Sequence, residues 1–64
     1  MKKVLMTFTT DGFSCELVRI TTEENLFYRV RTERVTRGNS VPYENYVKAR
    51  EAFLKAVDYE VRNR

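Results

Sequence analysis

Histidine is absent from this 64-residue chain, cysteine and proline occur once each, and glycine occurs twice. Without histidine the usual Ser–His and Cys–His nucleophile–base pairs cannot be assembled. A lone cysteine excludes an internal disulfide, and with no histidine to join it, a Cys/His zinc site as well. Gly12 and Gly38 are isolated, so no glycine-rich phosphate loop exists. Glu23 and Glu24 are carboxylates, but adjacency turns them in different directions, unlike an acid/base pair facing across a substrate. Neither catalysis nor a metal or other cofactor is expected. Cys15, between Phe13 and Leu17 in a strand pattern, reads as a small buried hydrophobe.

Long apolar runs are missing too. None approaches the roughly 20 residues of a membrane span. Lys2-Lys3 is followed by a stretch too short and too polar for a signal peptide, so the expectation is a cytoplasmic protein without membrane contact. A single domain, 1–64, is the natural reading of this length. So short a chain hides only about 60% of the surface it exposes unfolded. With neither disulfide nor metal to supplement the core, oligomerisation, as in a homodimer, is the remaining supplement. Hydrophobic residues at 42% with 33% charged argue against disorder.

The charge is unevenly placed. Residues 1–24 hold Lys2, Lys3 and Arg19 against Asp11, Glu16, Glu23 and Glu24, for −1, and residues 43–64 hold five cations against four anions, for +1. Residues 25–42 hold Arg29, Arg31, Arg34 and Arg37 against Glu33 alone, and this +3 equals the net charge of the whole chain.

Val4, Met6 and Phe8 alternate with Lys3, Thr7 and Thr9, the period of a strand with one buried face. Asp11-Gly12 then signals a hairpin into a second run, Phe13 to Thr22. The alternation slips at Leu17-Val18, which predicts either a β-bulge or a strand buried on both faces there. After a turn at Glu23-Glu24-Asn25, a third strand puts Leu26, Tyr28 and Val30 on one face and Phe27, Arg29, Arg31 and Glu33 on the other. Arg37 to Ser40 reads as a loop, Asn39 or Ser40 as a helix cap, and Pro42 as a first-turn residue.

From Tyr43 to Arg62 the period is helical. Tyr43, Tyr46, Val47, Phe53, Leu54, Val57 and Val61 fall within an arc of roughly 120°, the width of a core-facing stripe. Arg50 projects into that stripe, its stem expected over the sheet edge and its guanidinium in water or on Glu16 or Glu33. Glu44→Lys48, Glu51→Lys55 and Asp58→Arg62 are i,i+4 pairs on a solvated face. Ala49, Ala52, Ala56 and Tyr59 form a second apolar strip that would let another helix approach, and they are the candidate self-association residues.

The expected architecture is α+β: a three-stranded antiparallel β-meander packed against one C-terminal α-helix (β-β-β-α) in two layers, leaving one sheet face uncovered. Phe27, Arg29, Arg31, Arg34 and Arg37 are the candidate partner-binding residues, because arginine and aromatic side chains anchor interfaces. The favoured reading is a small non-catalytic regulator, adaptor or inhibitor in type, that contacts a protein partner through an arginine/aromatic sheet face and a helix face. A sheet-mediated nucleic-acid binder is the alternative, by fold-level analogy with domains that lay a three-stranded sheet backed by a helix against a DNA groove. The third reading is a structural homo-oligomer or accessory subunit.

Overall fold

A computed structural model of the protein describes residues 1–34 and 37–63. Val35 and Thr36, which belong to the arginine-studded segment of the sequence, lie outside the described residues. The elements run β1 (Lys2–Thr10), β2 (Phe13–Thr21), β3 (Leu26–Arg34), β4 (Arg37–Tyr43) and α1 (Tyr46–Arg62). The strands form one antiparallel sheet in the order β1-β2-β3-β4, with α1 across β2, β3 and β4 on one face. The sheet thus has four strands where the sequence predicts three. None of its helices is long and apolar enough to cross a membrane among the described residues.

The extra strand is the segment expected to be a loop and a helix start. Arg37 to Tyr43 pairs with β3 from Arg34↔Arg37 to Tyr28↔Tyr43. Gly38 and Pro42, which suggest a break in the sequence, are tolerated because β4 is an edge strand, where a missing N–H need not interrupt the ladder. The helix accordingly starts later, and its cap is Asn45 rather than Asn39 or Ser40. The Asn45 side-chain oxygen accepts from the backbone N–H groups of Val47 (2.7 Å) and Lys48 (3.3 Å). Removing this cap with Asn45→Ala is expected to cost about 1 kcal/mol. In so small a domain that lowers Tm by roughly 4–8 °C, readable in a thermal melt.

Asp11-Gly12 joins β1 to β2 as expected, with Gly12 at φ 74°, a left-handed conformation that a Cβ would strain. Between β2 and β3, the Thr22 N–H donates to the Asn25 carbonyl and the Asn25 N–H to Thr22 Oγ1, closing the turn. Of the two readings of Leu17-Val18, a strand buried on both faces is the one found, and the bulge lies on the strand opposite. The β1/β2 register shifts between Val4 and Met6, so Leu5 is the extra residue. β2 keeps its alternation with both Leu17 and Val18 fully buried, one on each face. The bulge also divides the β1 face predicted to be continuous. Met6 and Phe8 share the face of Leu17 and Cys15, whereas Val4 pairs with Val18 on the other and is 47% exposed.

The helix meets the sheet through its small residues. The core consists of Phe13, Cys15, Leu17, Val30, Ala49 and Phe53, with Met6, Phe8, Tyr28, Tyr43, Ala52, Ala56 and Val57 packed around it. Ala49, Ala52 and Ala56 thus lie against the sheet instead of forming a free strip for a second helix; of the candidate self-association residues only Tyr59 is exposed. The sheet already supplies bulk from Phe13, Leu17, Tyr28 and Tyr43, and close packing then favours small side chains opposite. Val47, Leu54 and Val61, assigned by the sequence to the core stripe, are 60%, 41% and 56% exposed. Arg50 rotates outward with them and is exposed, and Glu16, one of its two expected partners, is bound to Arg31. Among the described residues, the ion pair that closes within the helix is Asp58–Arg62, at 2.9 Å.

Candidate functional site

The register fixes which side chains share the uncovered outer face. Along β3 they are Phe27, Arg29, Arg31 and Glu33; their β2 neighbours are Ile20, Val18, Glu16 and Ser14. On the two edges the face is completed by Lys2, Val4, Thr7 and Thr9 of β1 and by Gly38, Ser40 and Pro42 of β4. Three of the five sequence-predicted binding residues, Phe27, Arg29 and Arg31, are therefore brought together.

Each guanidinium on this face is held in place. Arg29 stands over the Phe27 ring at 5.7 Å from its centroid and donates to Ser40 Oγ at 3.1 Å. A cation over an aromatic face contributes about 0.5–1 kcal/mol even at exposed sites. Arg31 pairs across the strand with Glu16 at 3.3 Å. Val18, between Glu16 and Ile20 and opposite Arg29, is 0% exposed although α1 lies on the other face. Its cover comes from neighbouring side chains, so the outer face is itself a packed layer. Beside it lies an open depression of about 550 Å³ whose lining includes Thr7, Thr9, Ser14, Glu16, Arg31 and Ser40.

Arg34 and Arg37 do not join this group. Both alternate onto the helix side of the sheet, where they pair with each other in the β3/β4 register. Arg34 stands over the Phe13 ring at 4.9 Å and is ion-paired with Glu60 of α1. Arg37 is exposed at the start of β4. The sequence overlooked Ser40, which it read as a loop or cap residue, and the hydroxyls of Thr7, Thr9 and Ser14. The two threonines did carry a signal, the same period-2 alternation that marks β1 as a strand. Arg19 sits opposite Tyr28 on the helix side and does not reach this face.

Cys15 contributes packing. It is fully buried, and burial, helped by the Glu16 charge, pushes its thiol up to about 11 from an ordinary 9.0. Between those values the unfolded chain has lost the proton that the folded protein keeps. Stability is therefore complete below pH 9 and falls as pH rises towards 11. Urea unfolding at the two ends of this window should show a larger loss in the parent than in Cys15→Ala. The folded thiol should also resist a thiol-specific reagent at neutral pH. Equal pH dependence of parent and variant would remove the cysteine from this account.

Comparison of the chain with protein-family models, with curated proteins and with solved structures gives no match in any of the three.

Proposed function

We propose that the protein is a small non-catalytic regulatory binding protein, of adaptor or inhibitor type, that contacts a protein partner through the outer face of its sheet. The observation that carries this reading is the fixed Phe27–Arg29–Ser40 and Glu16–Arg31 arrangement on a face that no other element covers among the described residues. Side chains held before binding lose less freedom on binding, and planar guanidinium groups suit carboxylates and backbone carbonyls. The charge of the face favours protein over nucleic acid: Lys2, Arg29 and Arg31 against Glu16 and Glu33 leave +1, and Arg31 is already neutralised by Glu16. A phosphate-tracking surface would offer more uncommitted cations.

The test is reversal of both arginines. Arg29→Glu/Arg31→Glu should fold, because the positions lie outside the core, and should weaken capture of the partner from host extract by more than about 100-fold, since like charges opposite an interface cost several kcal/mol. Anisotropy with mixed-sequence oligonucleotides separates the nucleic-acid alternative, which requires tight binding in low salt that falls steeply as salt rises. Unchanged capture by the folded double variant would remove the outer face from consideration.

A further inference from the structure

The two edges of the sheet are unlike. β4 is short, at seven residues, opens on Arg37-Gly38 and contains Pro42. These are features that blunt an edge against pairing with another strand. β1 is nine residues long, and its charges, Lys2 and Lys3, lie before the Leu5 bulge. Beyond the bulge, Met6-Thr7-Phe8-Thr9-Thr10 is a regular stretch with no charge, proline or glycine. Its inner face is also incompletely sheltered: α1 packs across β2, β3 and β4, and Met6 and Phe8 are only half-buried beside it.

We propose that the β1 edge is a self-association surface, and that its occupant is β1 of a second copy of this chain, paired antiparallel about a dyad at Phe8. This inference goes beyond the partner-binding reading and does not depend on it. The register follows from the length of the regular stretch. The bulge at Leu5 bounds it on one side and the Asp11-Gly12 turn on the other, so its centre is Phe8, and only a dyad there pairs all of it. Phe8 then faces the partner's Phe8 on the helix side. Met6 faces the partner's Thr10, and Thr7 the partner's Thr9 on the outer side. Aromatic pairs and Thr–Thr pairs are favourable cross-strand neighbours. Because sides of the sheet are preserved by this dyad, both helices end on one face of an eight-stranded sheet, and the two outer faces become one. Thr7 and Thr9 line the outer depression, so each copy would continue the wall of the other's site.

Register-specific cross-linking tests this directly. In the proposed pairing Thr7 and the partner's Thr9 have Cα atoms about 4.5–5.5 Å apart, within the range a disulfide spans. Thr7 and the partner's Thr7, like Thr9 and the partner's Thr9, are diagonal neighbours at roughly 7–8 Å, beyond easy reach. An oxidised mixture of Thr7→Cys and Thr9→Cys proteins should therefore yield a covalent dimer at twice the 7.6 kDa chain mass, while either variant alone yields little. Both positions are exposed, so the substitutions leave the fold intact, and buried Cys15 adds no competing thiol. The parent should be dimeric in sedimentation at about 200 µM, and Thr7→Lys/Thr9→Lys, folded by circular dichroism, should be monomeric there, because four lysines would meet across the dyad. A monomeric parent, or a mixture that cross-links no better than its components, overturns the proposal. So does a dimer abolished by Leu54→Glu and untouched by the two lysines, which would place the contact on the helix.

Discussion

Phe53→Ala is expected to unfold most of the population under conditions where Leu54→Gln remains native. Phe53 is 4% exposed, at the centre of the helix–sheet contact, while its neighbour Leu54 is 41% exposed and faces away. Truncating a buried phenylalanine costs about 3–5 kcal/mol in lost burial and residual cavity. A 64-residue domain has only about 3–10 kcal/mol of stability in total, at roughly 0.05–0.15 kcal/mol per residue. The first substitution therefore removes at least about 30% of the stability, and the second less than about 1 kcal/mol. Urea unfolding followed by circular dichroism compares the two midpoints. Arg50→Asp, on the same outward face as Leu54, belongs with the mild variant. Equal losses at Phe53 and Leu54 would mean that the helix is rotated relative to the arrangement described here.

That rotation marks the limit of what periodicity discloses. The seven large apolar residues from Tyr43 to Val61 cluster convincingly on a helical wheel, and the alanines look like a secondary strip. The choice between the two faces depends on the sheet, however, and a sheet that presents Phe13, Leu17, Tyr28 and Tyr43 needs small residues opposite. Strands β1 to β3 and the Asp11-Gly12 hairpin were legible because alternation and turn chemistry are local. β4 was hidden because glycine and proline ordinarily mark a break, and only its position at the sheet edge makes them harmless. The adjacent apolar pair Leu17-Val18 was legible as burial on both faces of β2, whereas the bulge belongs to β1 and was not placed there, since register is a property of the pair of strands.

The candidate site was legible in the same measure. Alternation alone put Phe27, Arg29 and Arg31 on the outer face of β3, where they are found. Extending the group to Arg34 and Arg37 followed charge rather than parity: Arg34 is three residues from Arg31, an odd step that turns it to the other side. The partners that fix the arginines, Glu16 and Ser40, come from β2 and β4, and one of those strands was unforeseen.

Arg34 is placed to act on stability, and the expected effect has a sign that separates two explanations. Glu60 lies in the last turn of α1, where a carboxylate opposes the helix dipole at a cost of about 0.3–1 kcal/mol. If the dipole governed that position, Glu60→Lys would stabilise the protein. In the structure the Glu60 side chain is only 14% exposed and ion-paired with Arg34, whose guanidinium also stands over the Phe13 ring. This cluster fastens the C-terminal end of the helix to the end of β3. A lysine at position 60 would set two cations against each other at a half-buried site, and the expected result is a loss of roughly 1–2 kcal/mol even after the dipole gain is counted. Arg34→Glu combined with Glu60→Lys restores opposite charges and should recover part of that loss, although the guanidinium–ring contact is not rebuilt. Thermal melts of the two single variants and the double variant complete the cycle. A Glu60→Lys protein that melts at or above the parent temperature would show that the Arg34 cluster adds nothing to stability.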